Sequence, residues 1–138
     1  MKTSLTHIAL HVCDQQACIE FYESYAGLYL IHDRQSGGKR VVWLAEQGKE
    51  TTFILVLIPG GPGRNQIAED FSHLGFAVAA HADVDRIAER ARANDILAWE
   101  PREEPYPVGY YCGVRDPDGN FVEFSYGQPL GPGSIGAL

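Results

Sequence analysis

Two histidines and one glutamate carry the strongest case for chemistry in this chain. His7 and His73 stand at the same point of two similar segments, Thr6-His7-Ile8-Ala9-Leu10-His11-Val12 and Ser72-His73-Leu74-Gly75-Phe76-Ala77-Val78. Glu123 follows the turn signal Asp116-Pro117-Asp118-Gly119-Asn120, inside an otherwise apolar strand pattern. A carboxylate in such a strand is costly to bury unless something positive meets it. Two imidazoles and one carboxylate suit a divalent first-row metal that keeps open positions for substrate. His11 shares the strand face of His7 and is a candidate acid/base group or hydrogen-bond donor behind the ligands. Tyr110 and Tyr111 point to opposite faces of their strand, so at most one reaches the same place. The bland alternatives are a hydrogen-bonded wall for His11, an ion pair of Glu123 with Arg115 or Arg40, and core packing for the tyrosines.

The elements that must position these groups can be read from periodicity. In Leu5–Cys13, Ile8, Leu10 and Val12 point one way and His7, Ala9 and His11 the other. Asp14 is placed to cap a helix carrying Cys18, Phe21, Tyr22 and Tyr25 as its apolar stripe, and Gly27 to end it in a left-handed conformation. Strands follow at 28–34, 40–46 and 51–58, separated by Gly37-Gly38 and Gly48. Pro59-Gly60-Gly61-Pro62-Gly63 interrupts any regular element, and Arg64–Asp70 has some helical character. The pattern then returns: a strand at 71–79 and a helix capped by Asp83 with Val84, Ile87, Ala88 and Ala91 in its stripe. Strands follow at 96–102, 109–115 and 120–126. The chain therefore reads as an α+β fold of two βαβββ modules, 1–59 and 71–127, joined by 60–70 and followed by a Gly/Pro-rich tail, 128–138. Bulky aliphatics on one strand face and small residues on the other predict a curved mixed sheet with helices outside and a hollow inside. There His7, His73 and Glu123 are expected to converge.

Composition bounds the function. At 138 residues the chain is sized for a single domain with its own core. A formal charge of −7 speaks against nucleic acid, because phosphate binding needs a basic surface. The longest apolar run, Phe53–Ile58, is too short to span a bilayer, and Met1–Val12 does not read as a secretory signal, so no membrane association and a cytoplasmic location are expected. Cys13, Cys18 and Cys112 fit no zinc spacing and read as reduced thiols, Cys112 in the core; His32 and His81 read as surface residues.

These motifs together resemble the vicinal-oxygen-chelate superfamily, which includes glyoxalase I, extradiol dioxygenases, fosfomycin-resistance transferases and bleomycin-binding proteins. The resemblance runs from Leu5 to about Tyr126, and Asp116–Glu123 is its most specific part. It implies metal ligation by His7, His73 and Glu123 and a small substrate chelating the ion through adjacent oxygens. It also implies assembly as a homodimer. Fe(II) is the first choice of metal, with Mn(II), Zn(II) and Ni(II) as alternatives. Ring-cleaving dioxygenase chemistry is the first choice of reaction, ahead of glyoxalase-like lyase or isomerase chemistry and thiol transfer, with His11 and Tyr111 as candidate catalytic groups. Departures from the resemblance are specific. Where enzymes like glyoxalase I carry a fourth ligand, the register read from sequence gives Leu55, and where many extradiol enzymes carry a tyrosine the chain has Gly113. The rival reading is a metal-free binder of an aromatic drug or natural product, with Trp43, Trp99, Tyr110 and Tyr111 as stacking surfaces.

Overall fold

The computed structural model describes residues 1–134. It consists of two compact units, Met1–Asn65 and a second beginning at Gln66. The first contains β1 (His7–Val12), α1 (Gln15–Ala26), β2 (Tyr29–Ser36), β3 (Lys39–Ala45) and β4 (Ile54–Pro59). The second contains β5 (Leu74–Ala77), α2 (His81–Ala93), β6 (Leu97–Glu104), β7 (Gly109–Arg115) and β8 (Phe121–Tyr126). Each unit has its own four-stranded mixed sheet, ordered β1-β4-β3-β2 in one and β5-β8-β7-β6 in the other. The first strand runs parallel to the last in both, and the remaining pairs are antiparallel. This is the two-module α+β architecture expected.

Period-two patterning decides which sheet face meets the helix. In the first unit Val12, Val42, Leu44, Leu55 and Leu57 are buried with Cys18 and Tyr22 of α1. In the second, Val122, Phe124, Cys112 and Val114 are buried with Val84, Ala88 and Ala91 of α2. Each fully buried aliphatic of this size contributes roughly 1.5–3 kcal/mol. The opposite faces carry Ala9, Val41, Trp43, Val56, Gly75, Tyr111 and Glu123, and there the hollows form. Among the described residues no helix is long and apolar enough to cross a membrane.

Helix ends follow local chemistry with one correction. Asp14 accepts from the N–H of Ala17 at 3.1 Å, and Gly27 adopts φ 69° so that its N–H reaches the Glu23 carbonyl. Asp83, expected as the cap of α2, lies one turn inside. The helix starts at His81 after Ala80, and the Asp83 carboxylate reaches back to accept from the Ala80 N–H at 3.1 Å. Arg64–Asp70 is not helical either. It is an irregular strap whose backbone is held by side chains, Gln66 above all. Of the tail, 135–138 lie outside the described residues.

Candidate functional site

The second unit assembles two of the three expected ligands. Parallel pairing puts Gly75 opposite Glu123, and His73 immediately precedes β5. Gly75 lies against the carboxylate, whose Oε2 is in ordinary contact distance, 3.6 Å, of where a Cβ would stand. Nδ1 of His73 is 2.8 Å from the carbonyl oxygen of Phe71. A carbonyl only accepts, so Nδ1 donates to it and Nε2 is the ring nitrogen left to face Glu123. That Nε2 lies 3.9 Å from Oε1 of Glu123. An imidazole nitrogen and a carboxylate oxygen at this distance are placed to share a cation or a proton. Burial pushes the Glu123 carboxyl up from its ordinary value, against opposing effects of His73 and a hydrogen bond from Gln128. The site thus holds a carboxylate short of positive charge.

Backbone clamps fix both residues. In the Asp116–Asn120 turn, Oδ1 of Asp116 accepts from the N–H groups of Asp118 and Asn120, both at 2.9 Å, and Oδ2 accepts from Nδ2 of Asn120 at 3.0 Å. Asp116, Asp118 and Asn120 are all buried, so the motif's acidic residues serve the turn that launches β8. Gln66, buried as well, joins this turn to the segment before His73. Its Oε1 accepts from the Phe121 N–H at 3.0 Å, and its Nε2 donates to the carbonyls of Asp70 (2.8 Å) and Ser72. Arg115 donates to the carbonyl oxygens of Gln66 and Gly119, and Arg40 pairs with Asp33. Neither arginine is an ion-pair partner of Glu123 among the described residues; His73 is its charged-capable neighbour.

A cavity of about 590 Å³ opens over this pair, walled by Phe71, Trp99, Pro101, Val108 and Tyr111. The edge of Trp99 meets the His73 ring at 5.5 Å between centroids. Its indole lies flat across Gly113, where a Cβ would fall inside the van der Waals envelope of the ring. Gly113 therefore carries no side chain because Trp99, arriving from β6, occupies that space. Tyr111 faces the cavity, whereas Tyr110 turns to α2, donating to Asp85 at 2.5 Å and stacking on His81 at 3.7 Å. Hydrogen bonding to Asp85 helps push the Tyr110 hydroxyl up to about 12. Cys112 is a buried thiol, also pushed up to about 12 by burial, and makes its contact with the Val84 carbonyl. It is a core residue.

The first unit has a corresponding hollow of about 630 Å³. His7 lies on its wall, exposed, with Nδ1 2.9 Å from the Thr6 hydroxyl. The register here corrects the sequence reading. Ala9 pairs with Val56 as Gly75 pairs with Glu123, so the position equivalent to Glu123 is Val56. Leu55 faces the helix and is buried. A one-residue slip exchanges the two faces, although neither residue supplies a ligand. His11 shares the face of His7 but does not line the hollow; its ring lies beside Gly60, near Lys39. His32, expected at the surface, is half-buried against Trp43, with centroids 4.8 Å apart. His81 is exposed, as expected.

Among the described residues of one chain, no three His, Cys, Asp or Glu side chains lie together so as to hold a metal ion. The structure brings His73 and Glu123 together; His7 belongs to the other unit. Sequence reasoning missed Gln66, whose contacts lie up to 55 residues away and carry no local signal. It also missed the coupling of Trp99 to Gly113, although a glycine inside a strand is itself a sign of close approach.

Residues 4–124 match the family model described as Glyoxalase/Bleomycin resistance protein/Dioxygenase superfamily. A protein of Pseudomonas aeruginosa named "Uncharacterized protein PA2024" is 59% identical over 134 residues, 97% of this chain and 96% of that protein. Solved structures share the fold at lower identity. A possible glyoxalase from Bacillus cereus is 24% identical with a TM-score of 0.66, over 90% of this chain and 99% of that one. The fosfomycin resistance protein FosX from Listeria monocytogenes, complexed with Mn(II) and 1S,2S-dihydroxypropylphosphonic acid, is 18% identical with a TM-score of 0.71, over 91% and 92%. TnmS3, an antibiotic binding protein from Streptomyces, is 24% identical with a TM-score of 0.65, over 90% and 95%.

Proposed function

The chain belongs to the Glyoxalase/Bleomycin resistance protein/Dioxygenase superfamily, and on that footing we propose that it is a cytoplasmic, metal-dependent enzyme acting on a small substrate with two adjacent oxygen donors. The observation that carries this reading is the His73–Glu123 pair, with the imidazole Nε2 3.9 Å from the largely buried Glu123 carboxylate. Their donor chemistry fits a divalent first-row ion, Fe(II) first and Mn(II), Zn(II) or Ni(II) as alternatives. Such an ion, when bound, supplies Lewis-acid polarisation of the chelating oxygens, and Fe(II) leaves room for dioxygen as well. We propose that His7 of a second copy completes the set, so that the working form is a homodimer.

The remaining roles fall to the chain's own side chains. The Phe71 carbonyl holds the His73 ring through Nδ1, and Trp99 packs against that ring. The Tyr111 hydroxyl, on the cavity wall, holds or moves a proton at a substrate oxygen. His11 is the weaker candidate because it stands outside the lining. Ring cleavage is the preferred reaction, followed by glyoxalase-like rearrangement and thiol transfer.

The decisive measurement is metal content of protein purified without chelators. Wild type is expected to hold one ion per chain, and Glu123→Ala none. Mixed dimers of His7→Ala and Glu123→Ala chains are expected to recover one site per dimer, because one hollow then keeps all three ligands. No bound metal in wild type, even after reconstitution, would favour the second reading, a metal-free binder of an aromatic compound. The tryptophans walling both hollows support that rival.

A further inference from the structure

The chain beyond β8 folds back to Glu123. The strand stops at Tyr126, and Gly127, at φ 95°, turns the backbone. The half-buried Gln128 then donates a side-chain hydrogen bond to the Glu123 carboxylate, while itself standing outside the lining of the cavity. Nε2 of His73, at 3.9 Å, is beyond hydrogen-bond distance of that carboxylate. The tail next crosses β5, the edge strand of the second sheet. A Cβ at Gly131 would stand 2.6 Å from that of Ala77, and one at Gly133 would stand 2.6 Å from the Ala79 carbonyl oxygen. Ala77 follows Gly75 by two residues and shares its strand face, so the tail crosses the side of the sheet on which Glu123 stands. Ser125, the strand partner of Ala77 on that face, is buried. Gly131 must be bare for this approach, and its φ of 70° would strain any other residue.

We propose that the C-terminal tail is part of the metal centre: Gln128 is a positioning residue that orients the Glu123 carboxylate for the ion, and Gly131 seats the tail that delivers it. The inference rests on the metal-dependent reading of the His73–Glu123 pair and adds to it a part for the chain beyond β8. Ligating carboxylates are themselves held by hydrogen bonds, and losing such a partner weakens the site without removing a ligand. A glutamate side chain loses rotamer freedom when it grips an ion, and a donor that fixes it beforehand lowers that cost. The chemistry of this donor suits the task. A carboxamide N–H orients the carboxylate and carries no charge, so it leaves the full negative charge for the ion, whereas a lysine or arginine there would compete with it.

The test uses metal-stripped full-length protein titrated with Co(II), whose visible absorption reports both occupancy and the geometry of its ligands. Gln128→Leu, close to glutamine in volume but without a donor, is expected to weaken Co(II) binding about 10–100-fold and to shift the visible band of the bound ion. Gly131→Ala, whose added methyl lifts the tail from Ala77, is expected to move both readings in the same direction. Leu130→Ser, at an exposed position of the tail, is expected to move neither. All three substitutions lie beyond the last strand, and far-ultraviolet circular dichroism of the metal-free proteins checks that the sheets are kept. Wild-type affinity and spectrum in Gln128→Leu or in Gly131→Ala, or an effect of Leu130→Ser as large as theirs, would overturn the inference and leave the metal centre standing. No Co(II) bound by wild type would overturn the metal reading, and this inference with it.

Discussion

Gln66→Leu is expected to be among the most damaging single changes to the second unit. The side chain is 4% exposed and makes three hydrogen bonds to backbone groups: the Phe121 N–H at 3.0 Å and the carbonyls of Asp70 (2.8 Å) and Ser72. Each bond contributes about 1 kcal/mol net, and a buried group left unpaired costs about 1–3 kcal/mol. The Phe121 N–H is buried; the two carbonyls are part-buried and regain some water. The apolar leucine returns a fraction of the loss. The sum is about 2–4 kcal/mol, a large share of the roughly 5–15 kcal/mol that holds a typical domain together. Urea unfolding followed by tryptophan fluorescence and far-ultraviolet circular dichroism measures it. Gln66→Glu keeps the acceptor for Phe121 but sets a carboxylate against two carbonyls, so it is expected to lose at least as much at neutral pH and recover part of it in acid. A loss below about 1 kcal/mol for Gln66→Leu would refute the claim that this side chain, rather than strand pairing, holds the strap before His73.

Three further outcomes are expected. In chelator-treated protein the folded-state pKa of Glu123 lies above its unfolded value, so its ionisation opposes folding as pH rises through that range. Glu123→Gln is therefore expected to melt higher than wild type at pH 7 and at the same temperature near pH 4, and equal shifts at both pH values would contradict the burial argument. Gly113→Ala is expected to displace Trp99, seen as a change in near-ultraviolet circular dichroism and a loss of about 1–3 kcal/mol. Asp116→Ala removes the acceptor of three turn hydrogen bonds and is expected to cost about 2–4 kcal/mol in urea unfolding.

The sequence made the modules legible because their signals are local. Asp14 and Gly27 bracket α1 through their own cap chemistry, and the small-against-bulky split of β1 already separates the hollow from the core. The Asp-Pro-Asp-Gly turn showed where β8 begins and hence which way Glu123 faces. What stayed hidden depends on pairing across the chain. The true counterpart of Glu123 could be found only once Ala9 was seen opposite Val56, because the strand edges around 51–54 give no sharp start. Asp83 looks like a cap by residue type, yet Ala80 precedes the helix and the carboxylate works from inside it. The segment from Arg64 to Asp70 reads as helical because its polar residues suit a helix, but its backbone is irregular and the Gln66 side chain ties it to the carbonyls of Asp70 and Ser72 and to the Phe121 N–H.

Val56 and Glu123 occupy the same step on two otherwise matched ladders. At that rung one half presents an aliphatic side chain and the other a carboxylate. Duplicated scaffolds of this kind can diverge at single positions: one copy holds an aliphatic side chain where its twin holds a carboxylate. Neither backbone has to move for the division of labour to arise.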